Sequence, residues 1–180
     1  MAQTKKSHPS KPLRSARWFE ADDMRGFAHR QRMQQIGWRR EDFIGKPVIA
    51  IINTWSEIST CHSHLRERAA VISQAILAAG GFPLEIPALS LGEIFVKPTT
   101  MLYRNLLAME TEELLRSHPV DGAVLLGGCD KTTPGLLMGA LSVDIPVIFC
   151  PAGPMLNDRY QGQKVGAGTH TKRYWDEYQA

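Results

Sequence analysis

The stretch Asp121–Ala140, DGAVLLGGCDKTTPGLLMGA, contains a complete strand–turn–helix unit. Its first part, Asp121–Leu126, is a short apolar run that predicts a β-strand covered on both faces. The pair Gly127-Gly128 follows and predicts a tight turn in which the backbone can closely approach a bound group. Thr133 can cap a helix that begins with proline, so the sequence predicts a helix over Pro134–Leu141.

The same alternation of strand and helix recurs along the chain. Further strands are predicted over Pro47–Ile52, Phe82–Ile86 and Pro146–Cys150, and helices over Asp22–Ile36, 63–79 and Thr100–Ser117, the last with Thr100 as its cap. An alternating order of this kind predicts right-handed crossovers. We therefore expect an α/β fold, with a parallel sheet flanked by helices.

Residues with unusual chemistry follow each predicted strand. They are Asn53, Thr54, Glu57, Cys61, His62 and His64 after the first strand, Ser90 and Glu93 after the second, Cys129, Asp130 and Lys131 after the third, and Gly153-Pro154 after the fourth. In open parallel sheets, ligands bind beyond the carboxyl ends of the strands. We therefore expect these thiols, imidazoles and carboxylates to meet at one edge of the sheet.

Length and charge limit the possible classes of protein. The 180 residues are 43% hydrophobic and 22% charged, which is typical of about one folded domain. Residues 1–40 carry ten Lys and Arg against three acidic residues, although the whole chain has a net charge of only +3. We expect a disordered basic arm over residues 1–20 and an α/β domain over 21–180. Nucleic acid is not an expected partner, because no basic patch with interleaved aromatic residues follows the arm.

The sequence lacks the usual signals for membrane insertion and export. No apolar run approaches the roughly 20 residues of a membrane span, and no hydrophobic stretch follows the basic start. The three cysteines, Cys61, Cys129 and Cys150, are far apart. Such cysteines are more often metal ligands, catalytic groups or core residues than disulfides. These features predict a cytoplasmic protein without a membrane partner.

Simpler interpretations compete for several of these residues. Gly128 lies only three residues before Lys131, so this loop is too short for the phosphate-binding loop of nucleotide-binding proteins. A zinc site at Cys61–His64 is disfavoured because structural zinc needs four ligands and no second pair is nearby. His64 is better placed to orient a neighbour or a substrate carboxylate. Cys150 closes an apolar strand, which favours a core thiol over a metal ligand.

Two segments resemble one enzyme family. Cys129–Ala140 is similar to a signature of the dihydroxy-acid/6-phosphogluconate dehydratases, and so is Asn53–Glu57 followed by Cys61–His64. The resemblance runs from about Arg25 to the end of the chain and is greatest to the sugar-acid branch, the arabonate and xylonate dehydratases. Supporting segments are Gly80–Pro83, Leu89–Glu93, Pro98–Asn105 and Gly153–Leu156.

The resemblance implies two metal groups. Cys61 and Cys129 are expected to ligate an iron–sulfur cluster, [2Fe–2S] or alternatively [4Fe–4S]. Glu93, Asp130 and Lys131 are expected to bind Mg²⁺, with Lys131 carbamylated to give an anionic oxygen donor. These assignments suit the general preference of iron–sulfur iron for thiolates and of Mg²⁺ for carboxylate oxygens.

The resemblance also implies a reaction and a larger protein. The expected enzyme is a hydro-lyase that dehydrates a sugar acid such as L-arabonate or D-xylonate to its 2-keto-3-deoxy acid, with Lys131, Asp130 and His64 in catalytic roles. It is expected to work as a homodimer or homotetramer. The alternatives are a dihydroxy-acid dehydratase of branched-chain amino-acid biosynthesis and an inactive remnant or metal-binding module.

The family pattern also contains groups that are not found in these residues. A third cluster cysteine and a serine proposed as the base are expected beyond residue 180. The sequence is therefore expected to be a truncated N-terminal part of the enzyme, inactive alone.

Overall fold

The computed structural model describes residues 12–154, 158–166 and 170–180. Its larger elements are six strands and seven helices among these residues. They are α1 (Ala16–Phe19), α2 (Met24–Gln35), α3 (Arg40–Phe43), β1 (Val48–Asn53), α4 (Leu65–Ala78), β2 (Phe82–Pro87), α5 (Met101–Ser117), β3 (Gly122–Gly127), α6 (Thr132–Leu141), β4 (Val147–Pro151), β5 (Asp158–Tyr160), β6 (Gln163–Val165) and α7 (Thr171–Gln179).

Four strands form one parallel sheet in the order β2-β1-β3-β4. Ile52 of β1 lies opposite Ile86 of β2 and Leu125 of β3. The predicted α/β fold with a parallel sheet is thus confirmed. Because β2 and β3 lie on opposite sides of β1, the strand order reverses between β1 and β3. At such a reversal the connections leave in opposite directions, and a crevice opens at the carboxyl ends of the strands.

Helices cover the two faces of this sheet. Ala50 and Ile52 belong to an apolar cluster that includes Leu107 of α5 and Leu136 of α6. Ile51, which points to the other face, belongs to a second cluster with Leu65 and Ala69 of α4. This arrangement explains the continuous apolar sequence of β1, since neither face meets water.

The N-terminal segment differs in part from the expected disordered arm over residues 1–20. Residues 1–11 lie outside the described residues. Arg14, however, donates a hydrogen bond to the main-chain carbonyl of Val120 at 2.9 Å, and Phe19 is buried against the aromatic rings of the core. The segment from Arg14 to Phe19 therefore packs on the folded domain, because the apolar ring of Phe19 is part of the core.

The ends of two helices also differ from expectation. Helix α6 begins at Thr132, and Lys131 rather than Thr133 is in the capping position. The side chain of Lys131 makes no cap hydrogen bond. Thr100 stands at the start of α5 but does not cap it. Beyond the predicted elements, the structure adds the hairpin β5–β6 and helix α7.

None of the helices among the described residues is both long and apolar enough to cross a membrane.

Gly139 allows α6 to pack closely on α5. A Cβ atom added there would lie 2.3 Å from the carbonyl oxygen of Ala108 and 2.7 Å from Cβ of Thr111. Gly139→Ala is therefore expected to lower the free energy of unfolding by about 1–3 kcal/mol, as overpacking does. Urea denaturation would measure the loss, with Leu141→Ala as a control because Leu141, in the same helix, is largely exposed. Equal stability of the two variants would contradict this prediction.

Candidate metal centre

Several of the predicted site residues lie in the loops that follow β1 and β3. Thr54, directly after β1, donates from its hydroxyl to the carbonyl of Leu126 in β3 at 2.9 Å. His62, further along the same loop, contacts Gly128 directly after β3. The loops that follow the two strands are thus joined at the point where the strand order reverses.

The loop after β3 places Cys129 in an unusual backbone conformation. Cys129 has φ +70°, a left-handed value that is uncommon outside glycine. The two preceding glycines lie close to neighbouring side chains of the protein, which leave no space for a Cβ atom. A Cβ atom at Gly127 would lie 2.7 Å from Cδ1 of Leu136, and one at Gly128 would lie 2.6 Å from Cβ of Ala152. Their structural role is therefore close packing within the fold, and strained geometry falls on Cys129.

The Cys129 thiol has a strongly raised pKa. Burial raises the pKa of the Cys129 thiol from 9.0 to about 11, and the Cys61 thiol contributes to the increase. Both cysteines are half-buried and free of disulfides. Without a metal, Cys129 is thus a protonated thiol at neutral pH.

The raised pKa predicts slow alkylation of Cys129. In metal-free protein at about pH 7.5, iodoacetamide should label it about 100-fold more slowly than free cysteine, because two pKa units reduce the thiolate a hundredfold. The rate should rise about tenfold per pH unit up to about pH 11. Mass spectrometry of the labelled peptide would measure it, and unfolding in urea should remove the difference. Labelling of folded protein at the rate of free cysteine would show that burial does not control this thiol.

The expected Mg²⁺ ligands form an ion-paired group. The Lys131 ammonium lies 2.7 Å from Oδ2 of Asp130 and 3.2 Å from Oε1 of Glu93. Hydrogen bonds from Lys131 lower the pKa of Asp130, and both carboxylates raise the pKa of Lys131. The ammonium of Lys131 therefore lies where a cation would contact the two carboxylates.

Thiol and carboxylate donors come together here. One ligand atom from each of Glu93, Cys129 and Asp130 lies within 4.8 Å of the other two. Thr100 adds a contact that the sequence did not indicate, because its buried hydroxyl donates to Oε2 of Glu93. A threonine directly before a helix usually caps it, and the sequence analysis therefore assigned that role to Thr100. Its hydrogen bond to Glu93 was not predicted.

The two histidines have different environments. His62 is completely buried, and burial lowers its pKa, so the ring is neutral at pH 7. Its ring nitrogens contact groups of the surrounding loops. Nε2 of His64 lies 2.8 Å from the carbonyl oxygen of Ala152, which links the loop after β1 to the segment after β4.

Other residues from the predicted set lie outside this centre. Cys150 packs against the apolar cluster on the α4 face, as expected of a core thiol. Asn53 donates to Glu85 of the adjacent strand at 2.7 Å, and Glu57 is exposed. The loop after β2 is held by Ser90, whose hydroxyl accepts a hydrogen bond from Ser56 at 2.8 Å.

Comparison with known proteins identifies related sequences. Residues 46–180 match the family model described as dihydroxy-acid/6-phosphogluconate dehydratase, N-terminal. A 6-deoxy-6-sulfo-D-gluconate dehydratase from Pseudomonas putida is 73% identical over 92% of this chain and 28% of its own length. An L-arabonate dehydratase from Azospirillum brasilense is 48% identical over 87% of the chain and 27% of its own length. A D-xylonate dehydratase from Caulobacter vibrioides is 37% identical over 87% of the chain and 27% of its own length. The chain thus spans less than a third of the length of these relatives.

Proposed function

Because this chain belongs to the dihydroxy-acid/6-phosphogluconate dehydratase family, we propose that the complete protein dehydrates a sugar acid to its 2-keto-3-deoxy acid. The observation that carries the proposal is the grouping of Glu93, Cys129 and Asp130, with ligand atoms within 4.8 Å of one another. Thiol and carboxylate donors side by side can hold two metals of different character, and removal of water from a dihydroxy acid involves two different oxygens.

The thiol donors suit an iron–sulfur cluster. We propose that Cys61 and Cys129 are two of its ligands, with [2Fe–2S] as the first candidate and [4Fe–4S] as the alternative. The support is that both thiols are half-buried in the loops after β1 and β3, and that the Cys61 thiol contributes to the raised pKa of Cys129. Thiolates are the ligands that such clusters prefer.

The oxygen donors suit Mg²⁺ only if Lys131 is modified. As an ammonium, Lys131 competes with a cation for Glu93 and Asp130. As a carbamate it offers anionic oxygens, and the three residues then form a hard, all-oxygen ligand set. When bound, the two metal groups supply Lewis acidity toward the oxygens of the substrate.

The residues of this chain would then have distinct tasks. Glu93 and Asp130 hold negative charge at the crevice, and the hydroxyl of Thr100 orients the Glu93 carboxylate through its hydrogen bond. We propose that His64 orients the site, because its contact with Ala152 joins the segments that follow β1 and β4.

The relatives suggest which sugar acid to test first. The protein that is 73% identical is named for 6-deoxy-6-sulfo-D-gluconate, and those at 48% and 37% are named for L-arabonate and D-xylonate. We propose a sugar acid as the substrate class and 6-deoxy-6-sulfo-D-gluconate as the first candidate. The support for testing this compound first is that the relative named for it shares more identical residues with the chain than the other two do.

The test is an activity assay on the complete protein, prepared without oxygen and supplied with Mg²⁺. The three sugar acids and a branched-chain 2,3-dihydroxy acid would be compared by the 2-keto acid that each yields. The proposal expects product from a sugar acid and its loss on chelation of Mg²⁺. Product from the branched-chain acid alone would support the dihydroxy-acid alternative, and no product from any of the four would support a metal-binding remnant.

We also propose that the complete protein is a cytoplasmic homodimer or homotetramer. Exposed apolar side chains at helical spacing on α5 support self-association. They are Leu102, Leu106 and Met109, and Ile94 and Phe95 are exposed in the preceding loop. Light scattering on the complete protein should give the mass of two or four chains, and the mass of one chain would contradict the assignment.

A further inference from the structure

His62 lies where three loops of the sheet edge meet. Its side chain is completely buried. Its Nε2 atom is 3.0 Å from the amide nitrogen of Gly128, in the loop after β3. Its Nδ1 atom is 3.4 Å from the hydroxyl oxygens of Thr54, after β1, and Ser90, after β2.

Either tautomer of His62 links its ring to Gly128. Nε2 lies 3.0 Å from the amide nitrogen and 3.1 Å from the carbonyl oxygen of that residue. It accepts from the amide when the ring proton is on Nδ1, and it donates to the carbonyl when the proton is on Nε2. One buried imidazole therefore joins Gly128 in one loop to the hydroxyls of Thr54 and Ser90 in the other two.

This link is next to both candidate cluster ligands. Cys61 directly precedes His62, and Cys129 directly follows Gly128. Cys129 also has its left-handed φ of +70°, a conformation that persists only where the surrounding structure holds it. The His62–Gly128 hydrogen bond joins the backbones on which the two sulfurs are carried.

We propose that His62 is a positioning residue that sets the separation of the Cys61 and Cys129 sulfurs for a cluster. This inference rests on the proposed function. It assigns to His62 no contact with the substrate and no part in proton transfer.

The test compares two substitutions in the complete protein. His62→Gln keeps a polar amide that can hydrogen-bond to the main chain of Gly128, whereas His62→Leu keeps a similar volume and removes that ability. Bleaching of the visible cluster absorption by a chelator should be about 10–100-fold faster in His62→Leu, the range found when the outer partners of metal ligands are lost. His62→Gln should stay within about threefold of the unaltered protein.

A second measurement uses metal-free protein and Cd²⁺, a soft ion that prefers thiolates. The affinity of the thiol pair for Cd²⁺, followed by its charge-transfer absorption, should fall by about 10–100-fold in His62→Leu and recover in His62→Gln. Leu115→Ala is the control for a general loss of stability. Leu115 is buried in α5. Arg14 donates hydrogen bonds to the carbonyls of Leu115 and Val120, so Leu115 lies near the start of β3, whereas Gly128 follows its end.

Each outcome has a definite meaning. Unchanged bleaching and unchanged Cd²⁺ affinity in His62→Leu would overturn the inference, and so would equal losses in Leu115→Ala. If the unaltered protein has no visible cluster, the cluster assignment of the proposed function fails. The Cd²⁺ affinities still decide in that case whether His62 positions the two thiols.

Discussion

Replacing Cys129 with serine is expected to remove the visible absorption of the complete protein and its dehydratase activity together. A serine oxygen is a hard, protonated group at neutral pH, and it does not replace the thiolate that cluster iron prefers. The loss should be complete within the limits of detection. Absorption and electron paramagnetic resonance spectra, together with the yield of 2-keto acid, would measure it.

Cys150→Ser is the matched control for this prediction. Cys150 is also half-buried and lies near the carboxyl end of β4. Its side chain, however, packs with apolar residues on the α4 face. Its substitution should keep the colour and most of the activity. Colour that persists in Cys129→Ser and disappears in Cys150→Ser would show that the cluster ligands have been assigned to the wrong cysteines.

Replacing Lys131 with arginine should abolish activity although the positive charge is retained. Arginine can form the ion pairs that the Lys131 ammonium makes with Asp130 and Glu93. Under the proposed function, Lys131 must instead become a carbamate, which arginine cannot do. The expected loss in kcat/KM is about 10³-fold or more, since removing a metal ligand forfeits several kcal/mol of charge stabilisation.

Two measurements separate this prediction from a general effect of the substitution. Lys97→Arg makes the same chemical change at an exposed position in the loop before α5 and should leave the rate unchanged. Carbon-13 bicarbonate should give a carbamate signal in the unaltered protein and none in Lys131→Arg. Retained activity in Lys131→Arg would mean that this residue acts only as a cation beside the two carboxylates.

Local patterns predicted much of this fold because they reflect local causes. The apolar run of β1 and the spacing of Leu65 and Ala69 in α4 reflect burial of one residue after another, which a sequence displays directly. The ends of helices were less predictable. Thr133 and Pro134 suit a helix start, yet α6 begins at Thr132, because the main chain from Cys129 onward already forms helical hydrogen bonds.

The candidate site shows a similar division. The positions of Cys61, Glu93, Cys129, Asp130 and Lys131 after their strands indicated one edge of the sheet, and the structure brings Glu93, Cys129 and Asp130 within ligand distance there. The contact of Thr100 with Glu93 was not predicted, and neither was the link from His62 to Gly128. Both join residues from separate loops, and no spacing in the sequence encodes such pairs.

The sequence by itself determined the class of fold and the types of donor that are found together at one edge of the sheet. These follow from periodicity, from the order of strands and helices, and from side-chain chemistry, all of which are local properties of the chain. Only the tertiary structure decided that β2 and β3 lie on opposite sides of β1 and so open the crevice between β1 and β3. It also decided that His62 is buried among three loops and that the Lys131 ammonium lies between two carboxylates. The physical reason is that strand order and side-chain contacts depend on the packing of distant segments, which minimises exposed apolar surface over the whole fold.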